Sequence, residues 1–284
     1  MKETNEEWTI VIKPHAGLFD IDFREILQYR DLLMIFIRRD LIGLYKQTLL
    51  GPLWFFIQPI LTTIVYVVVY GGIMQQTTDN KPQILFYLSG IVLWNYFSDC
   101  LIATSNTFIT NAAIFGKVYF PRVILPLSKV ISNLLKMFIQ LLLLVVAYIV
   151  FLILHKYTFQ VNLYILTLPL LVVIMANLGL GLGMIVTSLT TKYRDLQNLI
   201  VFGVQLLMFA APIIYPLSKF EHTRFHIFFV LNPVTAVVET FRASVLGGPV
   251  DLKMLGYSFT VSLVLLIVGF LIFNKVERSF IDTV

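Results

Sequence analysis

The apolar positions of this chain fall into long blocks, not into the alternation of strands or the stripes of water-soluble helices. Six blocks start near Leu53, Ile84, Ile131, Leu163, Asn198 and Gly256. Each runs about 18–25 residues, the length a helix needs to cross the hydrocarbon of a bilayer. A further apolar stretch, FHIFFVLNPVTAVVETF, is shorter and is interrupted by Asn232-Pro233. It predicts a re-entrant or interfacial hairpin on the outer side, between the fifth and sixth spans. The first 22 residues are polar, carry Glu3, Glu6, Glu7, Asp20 and Asp22, and lack the apolar core of a cleavable signal peptide.

Between that polar segment and the first span lies DFREILQYRDLLMIFIRRDLIGLYK. At about 100° per residue, Arg24, Asp31, Arg38, Arg39 and Lys46 share one arc, with Ile26, Leu33, Ile37 and Leu44 opposite. This pattern predicts an amphipathic helix in the cytoplasmic interface, its apolar face toward the acyl chains and its cations at head-group level. Gly51-Pro52 should end it, because proline suits the first turn of the next helix, where its missing N–H costs nothing. Gln58-Pro59 should loosen that next helix one to two turns in. The expected organisation is an all-α integral membrane protein. Residues 1–22 form a polar segment, 23–50 the interfacial helix, and 51–284 six transmembrane helices with the outer hairpin.

Composition narrows the function. The chain is 58% hydrophobic and 13% charged, whereas a soluble domain is about half apolar and a quarter charged. The net charge of +5 does not point to nucleic acid, because the positive-inside rule accounts for it. With the N-terminus inside, fifteen Lys and Arg fall on the inner side and six on the outer, so both termini are expected in the cytoplasm. Cys100 is the only cysteine, which excludes an internal disulfide and a cysteine metal site. No G-x-x-x-x-G-K-[ST] occurs, so any ATP-driven activity needs its ATPase from another chain. No acidic cluster could hold a diphosphate–magnesium complex, which argues against a polyprenyl transferase. The spans carry one acidic residue, Asp99, and no evident repeat, which argues against an ion-coupled secondary transporter. The glycines of ANLGLGLGM lie inside an apolar span and predict close helix packing, not a nucleotide loop.

The segment RDLIGLYKQTLLGPLWFFIQPILT closely resembles the start of the membrane subunit of the bacterial polysaccharide ABC exporters, the family that exports O-antigen, capsule and wall teichoic acid. The resemblance continues in order through LSGIVLWNYFS, KVYFPRVILPLS, KYRDLQN, LLMFAAPIIYP and LNPVTAVVETFRASVLG. It departs from the family pattern at Leu44, where arginine is common, and at Asp99, where a small polar residue is usual. The resemblance implies a permease subunit of the bacterial inner membrane, two copies per transporter. Two copies of a separate ATPase would hold ATP and magnesium, this chain would carry no cofactor, and the cargo would be a polysaccharide on a polyprenyl diphosphate. A permease for other lipids or drugs is the neighbouring alternative.

That reading assigns candidate residues. Sugars present apolar ring faces and hydroxyls, for which aromatic side chains offer a flat surface and, in Tyr and Trp, a polar tip. Trp54, Phe55, Phe56, Tyr66, Tyr70, Phe202, Phe209 and Tyr215, on the first and fifth spans, are the channel candidates; aromatic residues at this depth also face lipid or form interfacial belts. Arg38, Arg39 and Lys46 are placed for the carrier's diphosphate, or for anionic lipid head-groups. Lys117, Arg122, Arg194 and Asp195 lie in the two largest inner loops and would meet the ATPase, though positive-inside bias also explains their charge. Glu239 and Arg242, three apart in the outer hairpin, should share a helical face and pair. Asp99 is expected to act in a local hydrogen bond.

Overall fold

The computed structural model describes residues 27–46, 49–111, 114, 120–190, 193, 195–224 and 226–281, and every regular element among them is helical. Helix α1, Arg30–Tyr45, precedes a 3-10 turn at Gly51–Leu53 that runs straight into α2, Trp54–Tyr66, and a π-wound tail at Val67–Ile73. Then come α3, Gln83–Ser105; α4, Ile124–Ile153; and α5, Leu168–Thr190, led in by a 3-10 turn at Leu163–Thr167. Helix α6 covers Leu196–Phe209, the pair α7 and α8 covers His226–Leu231 and Pro233–Leu246, and α9 covers Leu252–Ile281.

Five of these stretches are long and apolar enough to cross a membrane: Gly51–Ile73, Gln83–Ser105, Ile124–Ile153, Leu163–Thr190 and Leu252–Val276. The chain is therefore a multi-pass membrane protein. The fifth expected span is a shorter apolar helix, α6, of 14 residues. At 1.5 Å per residue it reaches roughly 21 Å, less than the ~30 Å of a hydrocarbon core.

Helix α3 is the centre of the bundle. Leu85, Ile91, Val92, Leu93 and Cys100 are buried outright, and α3 packs between α4 and α5 while α9 closes on the far side of α5. Without a hydrophobic drive between helices in lipid, close backbone approach supplies the packing energy. The glycine run of α5 does this work. A Cβ on Gly181 would come within 2.7 Å of the Leu265 backbone of α9, and one on Gly269 would fall on the carbonyl oxygen of Gly181.

Two local expectations need revision. Helix α1 stops at Tyr45, and Gly51, at φ +51, begins the next element rather than ending that one. Pro59 does not interrupt α2, and the helix runs through it. The hydroxyls of Thr62 and Thr63 donate to the carbonyls of Gln58 and Pro59, one turn back along the same helix, at 2.9 and 2.7 Å. The loosening appears further on, in the seven π-wound residues from Val67 to Ile73.

Candidate functional site

The aromatic residues of α2 fan around its axis. Trp54 is 47% exposed, while Phe55 and Phe56 are half-buried, as consecutive residues ~100° apart must be. Near the other end Tyr66 meets Tyr70 and Tyr87 edge to face, with centroids 5.5 and 6.0 Å apart, and its hydroxyl donates to Met208 Sδ of α6 at 3.3 Å. That contact brings α2 and α6 together. On α6, Phe202 and Phe209 are 58% and 54% exposed. Tyr215 is turned in, its hydroxyl donating to the Phe209 carbonyl and its ring meeting Phe220 and Phe229 at 5.1 and 5.6 Å. A separate space of about 250 Å³ between α2, α3 and α4 is lined by Ile60, Thr63, Val67, Leu88 and Leu143, with no aromatic side chain. It offers hydrocarbon surface and nothing a hydroxyl could bond.

On α1, Arg38 and Lys46 are exposed. Arg39 is partly engaged: its guanidinium donates to Asp40 Oδ1 at 3.2 and 2.9 Å and lies 4.9 Å over the Phe36 ring. Lys129 of α4 reaches the same Asp40 oxygen at 2.9 Å. Beneath them Phe36 and Ile37 are buried, with Phe36 against Phe120, Ile124 and Leu125. The buried stripe of α1 thus rests on the start of α4, while Met34 and Ile35 stay exposed. Sequence reading gave Asp40 and Lys129 no part, and their separation of 89 positions left no local signal. Of the four coupling candidates, Arg122 is buried just before α4 and Asp195 is exposed immediately before α6. Lys117 and Arg194 lie outside the described residues.

Asp99 does make a local bond: Lys136 Nζ lies 3.4 Å from its Oδ2. One turn away the Asn95 amide donates to Gln140 Oε1 at 3.3 Å, so two polar pairs tie α3 to α4 in antiparallel register.

The most tightly built feature is the hairpin α7–α8. Asn232 begins α8 by accepting from the Val234 N–H at 3.0 Å, with Pro233 in the first turn. Its amide donates at 2.8 Å to the carbonyl of Ala210, just past α6. Arg242 is 1% exposed. It donates to Glu239 Oε1 at 2.7 Å, so the expected pair forms, and also to the carbonyls of Pro212 at 2.9 Å and Ile213 at 3.2 Å. The guanidinium carbon sits 3.7 Å over the Phe86 ring of α3. Gly90 leaves room for it, since an added Cβ would stand 3.1 Å from Arg242 Nη2. In the loop before α3, burial and the nearby Arg242 charge lower the Lys81 pKa, against the pull of Glu239. Irregular buried chain past a helix end has no ladder for its carbonyls, and here Asn232 and Arg242 supply donors to three of them. Phe86, Gly90 and the three acceptor carbonyls were not foreseeable from the Glu239–Arg242 spacing. Within this pair α8 is buried from Val234 to Val238, whereas Ile227, Phe228 and Leu231 of the six-residue α7 are exposed.

Residues 31–246 match the sequence profile of the family described as ABC-2 type transporter. The chain is 28% identical over 263 residues to the O-antigen export system permease protein RfbA of Myxococcus xanthus, covering 92% of this chain and 98% of that protein. It is 26% identical over 252 residues to a protein of the same description from Klebsiella pneumoniae, covering 89% of this chain and 94% of that one. It is 23% identical over 239 residues to the polysialic acid transport protein KpsM of Escherichia coli, covering 82% and 89%.

Proposed function

The chain belongs to the ABC-2 type transporter family, and from that premise we propose that it is the membrane subunit of an ATP-driven exporter of lipid-linked polysaccharide. The cargo would be an O-antigen-like chain on a polyprenyl diphosphate, crossing the bacterial inner membrane through a homodimer of this subunit. Two copies of a separate ATPase would hold ATP and magnesium on the cytoplasmic side, where both termini of this chain lie. The observation that carries this is the near end-to-end similarity to permeases named for O-antigen export and polysialic acid transport.

In this reading α6 is the fifth of six spans, completed by the irregular chain of residues 210–216. Non-helical backbone is tolerated at membrane depth only where protein satisfies its polar groups. Asn232 and Arg242 do that for three carbonyls, and so the re-entrant hairpin makes a short fifth span workable. The exposed aromatic faces of α2 and α6 would line the sugar path, with the second copy completing it. Arg38 and Lys46 are the cations open to the carrier diphosphate, Arg39 sharing its charge with Asp40. The loops holding Lys117, Arg122, Arg194 and Asp195 would seat the ATPase.

Leucine replacements test the path, because leucine keeps apolar area but removes the flat surface. Trp54→Leu, Phe202→Leu and Phe209→Leu are expected to lower surface polysaccharide per inserted protein about two- to twelvefold each, the worth of one aromatic contact of ~0.5–1.5 kcal/mol. Phe55→Leu should leave export near normal. Without the ATPase subunit none of these proteins should export. Equal, near-normal export in all the leucine variants would remove the aromatic path from the proposal.

A further inference from the structure

The outer end of α2 is wound in an unusual way. After the π-helical residues 67–73 the chain forms a loop in which Gln75, Asp79 and Asn80 have φ of +48°, +51° and +59°. Asp79 and Asn80 form the middle of a tight turn closed by the Lys81 N–H on the Thr78 carbonyl at 3.0 Å, a conformation these residue types adopt readily, while Gln75 is an uncommon left-handed residue. π-Helix is rare and frequent at functional positions. The loop is fastened to the short helical turn Leu217–Phe220 that follows α6. Ser218 Oγ donates to Asp79 Oδ1 and Oδ2 at 2.9 and 3.1 Å, and Lys219 Nζ donates to Gln76 Oε1 at 2.6 Å.

These ties join the outer ends of the two helices whose aromatic faces were assigned to the sugar path, and they are all exposed. Below them α2 and α6 meet at Tyr66 and Met208. The contrast with Arg242 is physical. Its buried bonds are costly to break, whereas exposed side-chain bonds exchange readily with water and contribute little to stability. A π-wound helix end fastened by exposed, readily exchanged bonds can part from the turn without disturbing the core.

We propose that residues 74–82 form an outer strap that releases the Leu217–Phe220 turn, and fastens it again, in each export cycle. Release lets the π-wound end of α2 rewind, turning Tyr70 and its neighbours about the helix axis as cargo passes. The proposal rests on the polysaccharide-export reading. In that reading a polymer leaving along α2 and α6 passes the tied loop, which parts to let it through.

The test bridges the strap to the turn covalently. In a Cys100→Ala background, Asp79→Cys and Ser218→Cys are joined with a short bis-methanethiosulfonate reagent in the full complex with its ATPase. The bridged transporter is expected to lose export about tenfold or more, as gating steps limit turnover, and to recover it on reduction. Gln76→Ala with Ser218→Ala should insert, assemble and export within about twofold of the parent, since exposed ties of this kind contribute little to folding. Normal export by the bridged protein would overturn the proposal. Failure of the double alanine variant to assemble would also overturn it, by making the tie a structural bond. If neither the parent nor the unbridged cysteine variant exports polysaccharide, the export reading itself fails and the strap falls with it.

Discussion

Arg242→Leu is expected to abolish export and to leave little assembled protein in the membrane. The substitution strands the Glu239 carboxylate and removes the donors from the Pro212 and Ile213 carbonyls, which are otherwise held at 2.7, 2.9 and 3.2 Å. Breaking a fully buried ion pair from one side costs about 3–5 kcal/mol; Glu239, 31% exposed, recovers part of its hydration, while each stranded buried carbonyl adds about 1–3 kcal/mol. Arg242→Lys should recover insertion in part and export poorly. A compact ammonium keeps the charge but loses the planar fork that reaches two carbonyls and a carboxylate while stacking on Phe86. Glu239→Gln should be the mildest, since that side chain is 31% exposed and an amide can still accept from Arg242. The measurements are inserted protein, resistance to detergent, and surface polysaccharide per inserted chain. Native levels of all three in Arg242→Leu would mean that the hairpin does not hold the end of α6.

The second large effect concerns the crossing of α5 and α9. Gly269→Ala places a methyl group on the carbonyl oxygen of Gly181, so the two backbones must separate. Overpacking of this kind costs roughly 1–3 kcal/mol or more, and here neither neighbour is a flexible side chain that could swing away. Gly256→Ala, near the start of the same helix, has nothing within 4 Å of the new methyl. It should be neutral or stabilising by up to ~1 kcal/mol, the helix propensity gained over glycine. Opposite signs for one chemical change in one helix, read as midpoints of thermal or denaturant unfolding in detergent, would identify backbone contact as the cause. Equal effects at the two sites would contradict that packing.

Where each span lies was legible because an apolar block of the right length has few alternatives in lipid. The expected starts at Ile84 and Leu163 fall within a residue of Gln83 and Leu163, and that at Gly256 four residues after Leu252. The expected start at Ile131 was late by seven residues. Pro126 and Lys129 interrupt the apolar run there, but proline fits a first helical turn and Lys129 carries its charge to Asp40. The length of α6 was only partly legible: apolarity continues through Ala210–Ile214, but Pro212 has no N–H for the next helical bond and stops the regular helix soon after Phe209. What ends it as regular structure is in part a set of carbonyl bonds to Asn232 and Arg242, residues more than twenty positions away. The Glu239–Arg242 pair could be read from spacing, since both lie on one helix. The Phe86 ring beneath the guanidinium is 156 positions distant and has no trace in local pattern.

Transport of a lipid-linked polysaccharide by this chain together with a separate ATPase, as proposed, can be observed in a reconstituted system. Inverted vesicles holding this subunit and the ATPase, supplied with polyprenyl-diphosphate-linked polysaccharide on their outer face, test it directly. ATP is expected to make the polysaccharide inaccessible to added glycosidase. Vesicles lacking either protein, or given a nucleotide that cannot be hydrolysed, should leave it fully accessible. Polysaccharide that stays accessible with both proteins and ATP present, or that is protected equally without the ATPase, would contradict the account.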